Sequence, residues 1–119
     1  MKALFVESKD FTEWISEFLS DDGLLLLQQV LMEKPDIGRV MPGCGGLRKI
    51  RIPNPSRSKG KRGGIRIIYL HVPAVKRFYL LDVYDKDEQD DLSAQEKKVL
   101  ADLARALKKE AVGRRGQGT

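Results

Sequence analysis

The chain opens on a short apolar run, Ala3–Val6, bounded by Glu7, Ser8 and Lys9, and the run predicts a buried strand. Phe11, Trp14, Ile15, Phe18 and Leu19 then recur at i, i+3, i+4, i+7 and i+8. That spacing is the apolar stripe of an amphipathic helix. Asp10 is placed to cap it, with Glu13 three residues on. Trp14 belongs to the stripe and so reads as core rather than as a platform for a nucleobase. Ser20, Asp21, Asp22 and Gly23 break the helix and start the next, with Asp21 or Asp22 as N-cap. Leu24–Lys34 is leucine-rich and ends before Pro35. Two short helices joined by a tight turn predict a helical hairpin.

Asp36–Gly46 carries Pro42 and four glycines without a period, and reads as a loop. Leu47–Ile52 alternates weakly, with Leu47, Lys49 and Arg51 on one side and Arg48, Ile50 and Ile52 on the other. Pro53–Gly64 is a twelve-residue connection without a hydrophobic anchor. Connections of that length are often functional. Ile65–Val72 is almost wholly aliphatic or aromatic, which predicts a central strand covered on both faces. Pro73-Ala74 makes a turn into a further strand, Lys76–Tyr84, and the three strands form an antiparallel meander. A polar connection follows. Ser93-Ala94-Gln95-Glu96 spells a capping box, and Val99, Leu100, Leu103, Ala104, Leu107 and Ala111 give the last helix its apolar face. Gly113 is the expected helix end. The order is β-α-α-β-β-β-α. It predicts an α+β fold, a mainly antiparallel sheet packed with an N-terminal helical hairpin and a C-terminal helix. Residues 1–112 form the single domain, and 113–119 a flexible tail.

Charge changes this picture. Between Asp36 and Asp82 no carboxylate occurs, while eleven Lys or Arg do. Eight of them (Arg48, Lys49, Arg51, Arg57, Lys59, Lys61, Arg62 and Arg66) lie between Gly45 and Tyr69. A field of one sign on that scale acts on a polyanion, and phosphate backbones are the usual target. The competing reading is a solubilising surface loop, but solubility rarely requires excluding every acid from a whole sheet. The 119 residues carry a net charge of +5 and one cysteine, Cys44. A lone cysteine excludes an intrachain disulfide and a multi-cysteine zinc site, and a reducing, cytoplasmic setting is the default. Cys44 reads as inert. The N-terminal apolar run is too short for the core of a signal peptide, and no later run approaches a membrane span.

The common catalytic signatures do not occur. One histidine excludes a histidine-based metal cluster, and no nucleotide-binding loop or nucleophile elbow is spelled. Gly60-Lys61-Arg62-Gly63-Gly64 is suited to cradle a phosphate through backbone N–H groups. His71 invites a general-base role, but strand parity puts Ile67, Tyr69 and His71 opposite Arg66, Ile68 and Leu70. His71 therefore reads as structural. Arg66 is a charge in an otherwise apolar strand and must be paired or used. A salt bridge to Asp82 and a role at a phosphate both fit. Tyr84, at a strand end, can stack on a base, pass a proton or fill space. Lys86 follows at once.

The element order resembles the RelE superfamily. So do the Gly45-Gly46-Leu47-Arg48-Lys49-Ile50-Arg51 segment and the Gly60–Tyr69 run GKRGGIRIIY. Arg77-Phe78-Tyr79-Leu80-Leu81, leading to Tyr84, adds to the likeness. The nearest branch is that of the HigB-type toxins of toxin–antitoxin pairs, and the likeness spans about residues 1–110. It implies a ribosome-dependent mRNA endonuclease in which the ribose 2′-OH attacks the adjacent phosphate without a metal or other cofactor. By motif position Arg66 would stabilise the phosphate, Tyr84 would orient the base or help proton transfer, and Lys86 is a second basic candidate. Arg48, Lys49, Arg51, Lys59, Lys61 and Arg62 would hold RNA phosphates. Asp85 and Asp87 depart from the basic or amide-rich ends of some members. They would lower activity, or one would act as a base. The implied partners are the ribosome, mRNA and a HigA-like helix-turn-helix antitoxin, which carries the contact to operator DNA; no membrane is involved. Two other uses remain open: a module that binds RNA or DNA without cutting, and a ParE-like inhibitor of gyrase on the same fold.

Overall fold

A computed structural model of the chain describes residues 2–53, 64–85 and 92–117. Five strands form one mixed sheet: β1 (Leu4–Glu7), β2 (Arg39–Val40), β3 (Arg48–Ile52), β4 (Ile65–Val72) and β5 (Arg77–Asp85). Their spatial order is β1-β5-β4-β3-β2. β3, β4 and β5 make the expected antiparallel meander, and β1 joins β5 in parallel. Helices α1 (Lys9–Trp14) and α2 (Asp21–Glu33) precede β2, and α3 (Ala94–Gln117) follows β5. The chain is thus α+β. The two-residue β2, paired with β3, lies in the segment expected to be a loop. A strand so short has no alternation to read.

The sheet carries apolar side chains on both faces, as a central strand of aliphatic residues requires. On one face Ile50, Ile65, Ile67, Tyr69, Phe78 and Leu80 pack with Phe11, Ile15, Leu27 and Leu31 of the N-terminal helices. On the other, Leu47, Ile68, Leu70, Val72 and Tyr79 pack with Ala104 and Ala111 of α3. Phe78 is fully buried on the first face. Its ring stacks between Phe5 at 4.8 Å and His71 at 4.4 Å, a ladder across three neighbouring strands. Tyr69 fastens the α2–β2 connection to the same face. Its hydroxyl accepts from the Gly38 N–H at 2.9 Å and donates to the Pro35 carbonyl at 2.8 Å. A Cβ at Gly38 would stand 2.7 Å from that ring, so the backbone can come this close only at glycine.

Several local expectations are corrected. Ser8 and Ser20, not Asp10 and Asp21 or Asp22, are the N-caps, accepting from the N–H of Phe11 and of Gly23. The acids fall one or two residues later, in the first turn, where they meet the positive end of the helix dipole. The first helix stops at Trp14 and tightens into a 3₁₀ turn, Ile15–Glu17. Phe11, Ile15 and Leu19 take the centre of the stripe, and Trp14, at its margin, is 51% exposed. Val99 and Leu103 are likewise exposed. The buried line on α3 runs through Ala104 and Ala111, flanked by half-buried Leu100 and Leu107. At Ala104 a small residue is required because the Gly43–Gly46 turn crosses close by. A Cβ on Gly45, whose φ is +70°, would lie 3.0 Å from the Ala104 Cβ. The Ser93–Glu96 capping box forms as expected, with reciprocal bonds of 2.9 and 3.1 Å. Gly113 does not end the helix, which continues to Gln117, so no helix end marks the boundary expected at residue 112.

Candidate nucleic-acid interface

Three residues of the meander stand in one row. Arg51 of β3 is opposite Arg66 of β4, and Arg66 is opposite Tyr84 of β5. Directly opposed residues share a face, with Cβ atoms about 5 Å apart. The face is that of α3, because Ile68 and Leu70 alternate with Arg66 and pack there, as does Tyr84. One row along, Lys49 is opposite Ile68, and Ile68 opposite Asp82. Lys49 is also opposite Arg39 of β2. Arg39, Lys49, Arg51, Arg66 and Tyr84 therefore share one surface. Asp82 brings a carboxylate to its edge and accepts the Val83 N–H at 2.9 Å.

The two guanidinium side chains of the row meet at Gly64. Arg66 is 6% exposed, and its Nη1 donates to the Gly64 carbonyl at 3.3 Å. Arg51 is exposed but lies across the same glycine, since a Cβ there would come within 3.2 Å of its Cγ and Nε. Taking a guanidinium out of water costs several kcal/mol unless partners or a ligand offset it. This arrangement therefore fixes one cation at the sheet surface and leaves a second beside it.

Tyr84 reaches the row through a β-bulge. Ile68 pairs with Asp82 but Tyr69 pairs with Leu80, so Leu81 is an extra residue on β5. Strict alternation from Phe78 and Leu80 would put Tyr84 on the α1–α2 face. The bulge reverses the parity: Val83 enters the α1–α2 core and Tyr84 turns to α3.

Of the other sequence candidates, Arg48 and Asp85 are not brought to this face. Arg48 points to the opposite side, where its Nη1 donates to the Gly38 carbonyl at 2.7 Å and to that of Asp36 at 3.2 Å. Asp85 is buried and pairs with Ile65, which belongs to the α1–α2 face. Lys59, Lys61, Arg62, Lys86 and Asp87 lie outside the described residues. Cys44 is buried. Arg39 is no candidate in the sequence, and only its pairing with Lys49 reveals it.

His71 stands on the face away from Arg66, as parity requires. Its Nε2 is buried and has no hydrogen-bond partner among the described residues. Burial holds its pKa below the usual 6.5, and the Arg48 charge adds to this while Asp36 opposes it. A lowered folded-state pKa means that stability is present above 6.5 and is lost as the pH falls below it. His71→Phe, which keeps a ring on Phe78, is expected to flatten the acid side of a plot of melting temperature against pH. Parallel curves for the two proteins would contradict this assignment.

Among the described residues no group of three or more His, Cys, Asp or Glu is arranged to hold a metal ion, and no helix is long and apolar enough to cross a membrane. No protein-family model matches the chain.

Proposed function

We propose that this chain is the toxin of a toxin–antitoxin pair, a ribosome-dependent mRNA endonuclease with a RelE-like, HigB-type arrangement of its elements. The observation that carries the reading is the cross-strand row Arg51–Arg66–Tyr84 with Lys49 and Arg39 beside it. In the proposed reaction the ribose 2′-oxygen bonds to the adjacent phosphorus, and the P–O5′ bond breaks. The 2′-proton leaves to a base, and the O5′ leaving group gains one. The products are a 2′,3′-cyclic phosphate and a 5′-hydroxyl. The five-coordinate phosphorus carries extra negative charge in passing, and a cation already fixed in place stabilises it without reorganisation. Arg66 supplies that charge. Tyr84, directly opposite on the neighbouring strand with its Cβ about 5 Å from that of Arg66, orients the base or relays a proton. Lys49, Arg51 and Arg39 hold flanking phosphates; on sequence grounds Lys59, Lys61 and Arg62 are further phosphate-binding cations and Lys86 a second basic group for the chemistry. The 2′-OH confines the chemistry to RNA. The antitoxin on this reading is a helix-turn-helix protein that covers the basic face or blocks entry to the ribosome, and the setting is cytoplasmic.

The test is primer extension on an mRNA incubated with the protein in a purified translation system, with and without ribosomes. Cuts at fixed positions within codons, only when ribosomes are present, are expected. Ribosome binding without cuts would replace this reading with a non-cutting module. Inhibition of gyrase without cuts would point to the ParE-like use.

A further inference from the structure

We infer that Ser8 is a positioning residue that holds the β5 bulge and so turns Tyr84 toward Arg66; its functional weight rests on the reading proposed above. Besides accepting the Thr12 N–H at its backbone carbonyl, Ser8 makes three hydrogen bonds that tie β1 and α1 to β5. Its N–H donates to the Leu80 carbonyl at 2.9 Å, continuing the parallel β1–β5 ladder past Glu7. Its hydroxyl donates to the Leu81 carbonyl at 2.7 Å, and its oxygen accepts from the Phe11 N–H at 3.0 Å. Leu81 is the extra residue of the bulge. A bulge removes its residue from the ladder, and a carbonyl stranded inside a sheet needs a substitute donor. Ser8 supplies it from 73 residues away, and the same oxygen starts α1. Without the bulge, β5 would run on in strict alternation and carry Tyr84 to the opposite face.

Two roles meet in one hydroxyl, and substitutions separate them. Ser8→Thr keeps donor and acceptor. Ser8→Asp keeps the capping acceptor but has no proton for Leu81. Ser8→Ala loses both. Each is read by the turnover of ribosome-bound mRNA, by ribosome affinity, and by fluorine NMR of protein carrying 3-fluorotyrosine. The chain has three tyrosines, and a Tyr84→Phe sample assigns the third resonance. Ser8→Asp is expected to shift or broaden the Tyr84 signal while leaving Tyr69 in place. It should also lower turnover about tenfold or more, since a displacement near 1 Å can cost that much, with ribosome affinity within about twofold. Ser8→Thr should match wild type. If Ser8→Asp does not fold, Ser8→Ala decides by the same resonance. A Tyr84 signal unmoved in the folded variants, or a Ser8→Thr protein as impaired as Ser8→Asp, would overturn the inference. A wild type that never cuts RNA would remove the proposed function, yet the fluorine spectra would still decide whether Ser8 positions Tyr84.

Discussion

Replacing Arg66 with alanine is expected to lower cleavage of ribosome-bound mRNA by about 100-fold or more, the usual loss for one preorganised donor to a developing oxyanion. Ribosome affinity should stay within about threefold. The two effects divide because the cations divide. Arg66 is buried at the centre of the row, whereas Arg51 and Arg39 are exposed and Lys49 is half-buried. Capture of a large polyanion depends on the accessible charges, and removing a cation that holds one phosphate lowers the salt dependence of binding by about one unit of slope. Lys49→Ala or Arg51→Ala should therefore weaken binding and flatten its dependence on salt. Arg66→Ala should change turnover instead. Arg66→Lys keeps the charge but not the planar fork, and should recover only part of the rate. Thermal unfolding of each variant separates the absence of a cation from the absence of a fold. Equal losses of cleavage and ribosome affinity in Arg66→Ala would mean that Arg66 only binds.

The second large effect is on stability. Phe78→Ala should destabilise the protein by about 3–5 kcal/mol, the range for removing a buried aromatic ring. Phe78 is fully buried, and both Phe5 and His71 rest on it. The substitution therefore opens a cavity at the junction of β1, β5 and β4. With an m-value of about 1–3 kcal/mol/M in urea, the unfolding midpoint should fall by more than about 1 M. Trp14→Ala is the counterpart. The sequence stripe would give it a similar cost, but its exposed ring predicts a change within about 0.5 kcal/mol. A large effect at Trp14 with a small one at Phe78 would contradict the packing described.

The N-terminal stripe shows what sequence patterns can and cannot convey. Spacing by three and four finds the helix, and it finds Phe11, Ile15 and Leu19 at the centre of its buried side. It cannot separate centre from margin, so Trp14 reads as core, as do Val99 and Leu103 on α3, although all three are exposed. The meander is legible because Ile65–Val72 has the length and composition of a strand covered on both faces. The candidate site is legible in part. Arg66 stands out as a charge in an apolar strand, and parity keeps it apart from His71. Tyr84 is visible at the strand end, but its approach to Arg66 depends on a one-residue bulge that leaves no mark in composition. Arg39 belongs to a two-residue strand, too short for a period. Charge alone groups Arg48 with its neighbours, and only the fold shows that it serves the carbonyls of Asp36 and Gly38 on the other face. Caps are ambiguous for a related reason: serine and aspartate both accept an N–H, and proximity to the first helical turn does not choose between them.

The most direct test of a phosphate-directed RNA site on the α3 face is a single-atom change in the substrate. Messages are prepared with one 2′-deoxynucleotide at a position cut in the all-ribose message, loaded on ribosomes and treated with wild-type protein. Attack by the 2′-OH predicts that cutting stops at that position alone, while ribosome binding and cuts elsewhere persist, and that the all-ribose product ends in a 2′,3′-cyclic phosphate. Undiminished cutting at the deoxy position, or no cutting of the all-ribose message by folded protein, would contradict the account.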